Sequence, residues 1–408
     1  MKSLDHYFFK TYECFPAKGI QNTRIYISRI GRNSSVASER ELYGAGTGDT
    51  VEEASFLSKM EAIERLCNSQ TVAPSLIGSL EDLQDQAIDL ALFPQLSDSE
   101  NSFNKNYRPK GVMRWVKSFN LTQRKPVYIP EEHVTLFTKK KYDGEGTTNP
   151  ISTGCAIHSN FSDAILNGIY EVVERDAIAL TWLLKLPLKE IDAAANGLDV
   201  DVFDSEFLGS VRLYDASTVE GVKTFCLRAT TRHSREIKNV LMFSTHIDSK
   251  KAIAKLKKEL LSVIFSLSES VERNRNIIEE DVQEFYRVDQ GALYMAHEDH
   301  ADHFDFLDDN GQAPLDPGTV GLSKQEELEF LIEALRTVGH EIYVTDMTNR
   351  ECYENDLRAV KVTVPTLQPI SFVHRSRYLD SRRIQGYAER QYGSFDFSMI
   401  NDKPLAFS

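Results

Sequence analysis

Acidic side chains recur in this chain at a spacing suited to holding a divalent cation. Asn167, Glu171 and Glu174, within the stretch Ala164 to Asp176, stand at i, i+4 and i+7. On an α-helix they share a stripe roughly 60° wide, while Ile165, Ile169 and Val172 point to the opposite side and can be buried. The E-x-x-E-R pattern of Glu171 to Arg175 also occurs upstream, as Glu61 to Arg65. Two such helices facing each other gather four carboxylates, Glu61, Glu64, Glu171 and Glu174, which is costly unless cations neutralise them. Hard oxygen ligands suit Mg²⁺, which keeps waters and bridges to substrate phosphates, so ATP is the natural partner. Asn167 adds an uncharged oxygen ligand, and Arg65 and Arg175 are placed to contact phosphate or to brace a glutamate. The competing reading is a solvated helix face with i, i+4 ion pairs.

Other constellations are weaker. The cluster Gly44-Ala-Gly-Thr-Gly48 reads as a nucleotide loop or as a turn into the next helix, but it has neither a Walker lysine nor the Rossmann glycine spacing. His297, His300 and His303 are spaced H-E-x-H, not H-E-x-x-H, and read as a polar turn after a strand. Cys155 and His158 offer a nucleophile and a base, though their separation in a loop says little about geometry.

The elements that must carry these residues are legible. Thr50 and Glu53 form a T-x-x-E capping box before a periodic segment from Ala54 to Asn68. Glu61, Glu64, Arg65 and Asn68 lie on one side of it, with Phe56, Ile63 and Leu66 on the other. A second helix starts near Asn160 or Ser162 and runs to Leu184, where Pro187 stops it. A third, from Ser249 to Arg273, places Lys255, Glu259 and Ser262 along one side as a further wall. Strands are expected at Arg24–Ser28, Val127–Ile129, Ser210–Tyr214, Thr224–Arg228, Val240–Ser244, Leu293–Ala296, Ile342–Thr345 and Val360–Val364. A polar loop spans Gly31 to Arg40, a polar connection spans 79 to 106, and a helix spans Lys324 to Val338. Interleaved helices and strands indicate an α/β or α+β fold with mixed sheets. With no low-complexity linker, residues 1–408 read as a single multi-lobed unit.

Composition narrows the function classes. The 408 residues are 41% apolar and 26% charged, enough for a sizeable core. A net charge of −14 argues against a phosphate-neutralising nucleic-acid surface. Five widely spaced cysteines form no C-x-x-C, which disfavours a thiolate zinc site or a disulfide framework and fits a reducing cytosol. Neither a signal peptide nor a membrane span is apparent, so a cytoplasmic protein is expected.

Several separated motifs resemble one family. Thr153-Gly-Cys-Ala-Ile-His158, Asn167-Gly-x-x-Glu171-x-x-Glu174-Arg175-Asp176 and Glu61-x-x-Glu64-Arg65 are similar, in order and separation, to those of the YcaO family of ATP-dependent amide-activating enzymes. Lys251 to Leu260 looks like the family's third helix. Pro365-x-Leu-Gln-Pro369, Phe372 and Arg383-Ile384 look like the C-terminal section of its peptide-modifying members. The resemblance covers residues 40 to 385, and the chain is most similar to stand-alone cyclodehydratase subunits of azole-modified, microcin-type peptide biosynthesis.

That resemblance implies a YcaO-like fold with long helices enclosing an ATP site. It also implies a reaction in which a Cys, Ser or Thr side chain of a precursor peptide attacks the preceding carbonyl, whose oxygen then attacks the γ-phosphate of ATP. The substrate supplies the nucleophile, so no catalytic triad is needed. By position, Glu61, Glu64, Arg65, Asn167, Glu171, Glu174, Arg175 and Glu259 are the ATP/Mg²⁺ candidates. The implied partners are the precursor peptide, an E1-like or related leader-binding protein, a flavin-dependent dehydrogenase, and a second copy as a homodimer within a complex. No separate leader-binding domain is recognised. Three departures stand out: Thr47 where many members have lysine, Ser262 where glutamine is usual, and a single Pro404 where azoline-forming members carry a proline-rich tail. A thioamide or amidine product, or an ATP-binding scaffold, is the alternative.

Overall fold

The computed structural model describes residues 8–14, 24–30, 42–69, 76–102, 111–198 and 207–407. The expected polar loop from 31 to 40 and the end of the connection near 106 lie outside them. In chain order, β1 (Phe8–Cys14), β2 (Arg24–Ile30) and β3 (Tyr43–Gly48) form a three-stranded sheet, followed by α1 (Val51–Ser69). Next come β4 (Leu76–Gly78), α2 (Leu80–Leu83), α3 (Asp98–Asn101), β5 (Met113–Asn120), β6 (Lys125–Pro130) and β7 (Cys155–His158), then α4 (Phe161–Leu184). β8 (Lys189–Ile191), β9 (Leu208–Asp215), β10 (Lys223–Thr231) and β11 (Asn239–His246) build a four-stranded sheet. After α5 (Ser249–Val271), α6 (Val288–Ala296) and α7 (Lys324–Thr337) come β12 (Tyr343–Asp346), α8 (Arg350–Glu354), β13 (Arg358–Thr363) and α9 (Arg382–Tyr392).

The central sheet runs β4-β5-β12-β13-β7, with β6 on β5. Every pairing between named strands is antiparallel, and the parallel pairings among the described residues are the isolated bridges Ala87–Tyr128 and Glu190–Gln312. Of the two expected classes, α+β therefore describes the arrangement better. Among the described residues no helix is long and apolar enough to cross a membrane.

α4 is the axis of the molecule. Asn160 caps its start by accepting from the amides of Ser162 and Asp163, and Lys185 in the left-handed region ends it before Pro187. Ile165, Ile169 and Val172 are buried against β13 and α7. Its C-terminal half enters a different core with β9–β11 and the C-terminal segment. A helix buried on nearly every side has no solvated face to give its acidic stripe.

Four sequence expectations need correction. Leu293–Ala296 is not a strand but the end of α6, where Ala292, Leu293, Met295 and Ala296 are buried; a short apolar run does not separate the two periods. His297 precedes and His300 and His303 lie within a 3₁₀ helix, Glu298–Leu307, not in a turn after a strand. Phe56, assigned to the apolar side of α1, is 43% exposed. The glycine cluster is neither a nucleotide loop nor a turn, because it is strand β3 pressed against α1. A Cβ on Gly44 would lie 2.3 Å from the Ala62 nitrogen, and one on Gly46 2.2 Å from the Ser58 nitrogen. Glycine there lets strand and helix backbones touch. Gly46→Ala is expected to destabilise the protein by about 1–3 kcal/mol through overpacking. Chemical denaturation checks this, and an unchanged midpoint would contradict it.

Candidate functional site

Three helices bring the sequence-predicted residues together from different directions. α1 starts at the expected cap, where Thr50 Oγ1 accepts from the Glu53 amide at 3.1 Å, but Glu53 Oε2 reaches one residue past the capping-box position and accepts from the Asp49 amide at 3.0 Å. Two turns on, Glu61 Oε2 accepts from the Ala45 amide of β3 at 2.7 Å, and its Oε1 pairs with Arg65 Nη2 at 2.6 Å. Arg65 also donates to the Tyr43 carbonyl at 2.7 Å and stacks over the Tyr43 ring. Of its two anticipated roles, the geometry shows the bracing of Glu61.

On α4, Glu171 Oε2 accepts from the Gly154 amide at 2.9 Å, and Arg175 Nη2 lies 3.4 Å from its Oε1. Glu174 is 4% exposed, accepts from the Thr245 amide of β11 at 3.0 Å, and faces Lys255 Nζ at 3.5 Å. Lys255 stands equally far from Glu259, so one ammonium joins the α4 and α5 walls. Asn167 is exposed one turn before Glu171.

The electrostatics link these groups into a row. Burial, then Glu171 and Glu61, push the Glu64 carboxyl well above the usual carboxylate range, against the pull of Arg65. Burial likewise raises Glu174; Lys255 opposes it, and Glu259 and Glu171 add to it. Glu174 in turn holds the Lys255 ammonium above lysine's ordinary value. Glu61, Glu64, Glu171, Glu174 and Glu259 thus form a carboxylate row across α1, α4 and α5 that Arg65, Arg175 and Lys255 compensate only in part. Among the described residues no three acidic, histidine or cysteine side chains form a ready-made metal cage. The four carboxylates expected to hold Mg²⁺, Glu61, Glu64, Glu171 and Glu174, therefore do not close into an all-protein cage, and a cation on the row would need phosphate oxygens as further ligands.

A raised native pKa has a sign. The folded state keeps a proton that the unfolded chain would release, so stability falls as pH rises from the ordinary carboxylate value through the raised one. Glu64→Gln is therefore expected to raise the melting temperature more at about pH 8 than at about pH 5, relative to the wild type without nucleotide. Melting curves of both proteins across that range check it; a difference independent of pH would contradict it.

The Ser152–Cys155 turn closes the site beside Glu171. Gly154 has φ +83°, and a Cβ there would sit 2.1 Å from the Val362 carbonyl oxygen. Its carbonyl accepts from the Val362 amide at 2.7 Å, stitching the turn to β13. Lys361 Nζ donates to the Ile151 and Thr153 carbonyls at 2.8 and 2.7 Å. Cys155 is buried and its thiol is pushed up to about 12, chiefly by burial, so it offers no thiolate nucleophile at neutral pH. His158 is half-buried, 3.5 Å from Asp163.

Sequence reasoning missed several residues here. Lys361 is 5% exposed inside the apolar run of β13, and a charge within such a run is the signal that could have found it. Asp176, completely buried, accepts from Arg383 Nε and Nη2 at 3.0 and 2.6 Å, from the Gln368 amide at 2.8 Å and from Thr218 Oγ1 at 2.9 Å. It fastens α4 to the Pro365–Pro369 segment and to α9. The C-terminal segment runs back along α4: Asn401 Nδ2 donates to the Trp182 carbonyl, Trp182 Nε1 to that of Lys403, and the Phe407 ring lies 4.5 Å from the Arg175 guanidinium. A segment with one proline therefore reaches the site. A cavity of about 130 Å³ opens on the other side of Arg175, lined in part by Thr153, Lys361 and the Pro365–Pro369 segment.

Comparisons with known proteins agree with this architecture. Residues 45–368 match the family model described as YcaO cyclodehydratase, ATP- and Mg²⁺-binding. A search of curated protein sequences gives no match. Among solved structures, a heterocyclase in complex with substrate and cofactor aligns with a TM-score of 0.77 at 18% identity, over 98% of this chain and 55% of that one. The chain thus spans little more than half of that heterocyclase. YcaO from Methanopyrus kandleri, bound with AMPPCP and Mg²⁺, aligns with a TM-score of 0.63 at 18% identity, over 90% of this chain and 87% of that one. The E. coli microcin synthetase McbBCD complex with pro-MccB17 bound aligns at 0.64 and 16%, over 98% and 96%. At these identities the likeness is one of fold.

Proposed function

The chain belongs to the YcaO family, and from that premise we propose that it is an ATP-dependent cyclodehydratase acting on a ribosomally made precursor peptide. The observation that carries the reading is the carboxylate row Glu61, Glu64, Glu171, Glu174 and Glu259, assembled from three helices around the Gly154 turn. The same row, with Asn167, is the proposed seat of Mg²⁺ and ATP phosphates, and the whole chain is proposed to act as one unit.

In this reaction a Cys, Ser or Thr side chain of the peptide attacks the preceding backbone carbonyl carbon and loses its proton. The carbonyl oxygen takes up the electron pair and attacks the γ-phosphorus, and the bond to ADP breaks. The C–O bond then breaks with phosphate leaving, the amide nitrogen gives up its proton, and an azoline C=N bond remains. The protein supplies position and charge rather than a nucleophile, as expected for phosphoryl transfer. When bound, Mg²⁺ supplies neutralisation of the phosphate charge. Glu171, braced by Gly154 and Arg175, fixes the α4 side of that seat. Arg175 Nε and Nη1 are shielded from solvent and donate to no acceptor among the described residues, and we assign them to an anionic or carbonyl oxygen of the substrates.

The proposed partners are the precursor peptide, a leader-binding protein of E1-like or related type, a flavin-dependent dehydrogenase and a second copy of this chain. The test is incubation of the protein and partner with precursor, ATP and Mg²⁺. Loss of one water per modified residue, matched by ADP and phosphate release, is expected; an unmodified peptide with active protein would sink the reading. A second reading, thioamide or amidine formation, would use the same carboxylate row. Oxygen-to-sulfur exchange on adding a sulfide source would select the thioamide.

A further inference from the structure

The cavity lined by Arg175 has a polar pattern of its own beside the carboxylate row. Its far wall is already satisfied: Glu132 accepts from the Gly146 amide at 2.6 Å and the Thr147 amide at 3.1 Å, and the Tyr378 hydroxyl accepts from the Asn149 amide at 2.7 Å. His133 stacks on Phe93 with ring centroids 4.0 Å apart, and burial lowers it to about 3, so it is neutral. Phe93, Val364, Leu367 and Ile370 supply an apolar floor.

Two lining groups are left over. Arg175 carries the unpartnered donors Nε and Nη1, and Gln368 the unpartnered acceptor Oε1. Gln368 is 1% exposed, and its orientation is fixed because Nε2 donates to the Arg377 and Tyr378 carbonyls, both at 3.2 Å. A buried acceptor without a donor costs about 1–3 kcal/mol, and an N–H brought to the cavity by a ligand would satisfy Oε1. Lys361 adds a buried ammonium that makes no ion pair among the described residues, its charge held at the Thr153 rim by two carbonyls. One acceptor, one donor pair and an apolar floor together match a peptide unit and its side chain.

We propose that this cavity receives the substrate residue immediately before the attacking Cys, Ser or Thr, its backbone read by Arg175 and Gln368 and its apolar side chain on the floor formed by Val364, Leu367 and Ile370. The inference rests on the cyclodehydratase reading. Arg175 lines the cavity and also touches Glu171, so a carbonyl at this rim stands next to the proposed phosphate seat. The volume of about 130 Å³ is comparable to engineered apolar cavities that admit benzene, which sets the size class at leucine or phenylalanine.

The test uses the full chain saturated with Mg²⁺ and AMPPCP, and the probes N-acetyl-Xaa-Cys-N-methylamide with Xaa as Gly, Leu, Phe or Asp. Saturation-transfer NMR and calorimetry are expected to rank Leu and Phe at least about tenfold above Gly and Asp, as burial of one such side chain requires. Val364→Phe is expected to abolish that preference, and Ile370→Ala to shift it toward Phe, both with AMPPCP affinity unchanged. Equal affinity for all four probes, binding of none, or a preference that survives Val364→Phe with nucleotide bound would overturn the inference. Failure to bind AMPPCP at all would overturn the ATP-site reading beneath it.

Discussion

Glu171→Gln is expected to lower peptide-dependent ATP turnover by about 10²–10³-fold while leaving the melting temperature nearly unchanged, the scale on which removing one preorganised electrostatic group from a transition state acts. The contacts of Glu171 explain why the two readouts separate. Its Oε2 accepts from the Gly154 amide, which a glutamine carbonyl oxygen reproduces, and its other contact, to Arg175, is long at 3.4 Å. The fold therefore loses little. What disappears is a negative charge in the middle of the row, between Glu64 and Glu174, where a cation would be held. Phosphate release checks turnover and circular dichroism checks the fold; wild-type turnover would remove Glu171 from the metal seat.

Asp176→Ala is expected to produce the largest stability loss of any single substitution near the site, about 3–5 kcal/mol by denaturation. Asp176 is fully exchanged from water into four hydrogen bonds, two of them from the Arg383 guanidinium, which is itself nearly buried. Deleting the carboxylate leaves that guanidinium without its counter-charge, and it frees the Gln368 amide and Thr218 hydroxyl as well. Arg383→Ala reaches the same pair from the other side and is expected to cost a similar amount, with the double substitution less than additive. A loss below about 1 kcal/mol for either would show that the pair is not the tie between α4 and α9.

The parts of this molecule written in local periodicity were readable from the sequence. Thr50 and Glu53 announce α1, Asn160 and Pro187 bracket α4, and the E-x-x-E-R spacing puts Glu61 with Glu64, and Glu171 with Glu174, on one stripe of each helix. Lys255 and Glu259 were placed on the third wall, although not the single ammonium shared between Glu174 and Glu259. The misreadings have a common cause, because each concerns a choice made by a distant partner. Gly44 and Gly46 have turn-like composition, and it takes the backbone of α1 at contact distance to make them a strand. The apolar run at Leu293 fits either period, and the core beneath α6 decides. Lys361, Gln368 and His133 share a cavity wall although they come from separate segments, so neither the charge in the apolar run of β13 nor the Pro365–Pro369 motif shows that they meet. Arg65 shows the limit of motif reading, since the same E-x-x-E-R triplet that leaves Arg175 with free donors commits Arg65 to the Tyr43 carbonyl.

The central claim is that the carboxylate row is a seat for Mg²⁺ and nucleotide phosphates. Calorimetric titration of AMPPCP into the protein, with and without Mg²⁺, tests it most directly. The row has too many mutually repelling carboxylates to accept a polyanion by itself, so saturable binding is predicted with Mg²⁺ and none without it. Below the raised pKa of Glu64, binding should also release protons, seen as a dependence of the measured enthalpy on buffer ionisation. Binding of equal strength in the absence of Mg²⁺, or binding that Glu64→Gln and Glu171→Gln together leave untouched, would contradict the account.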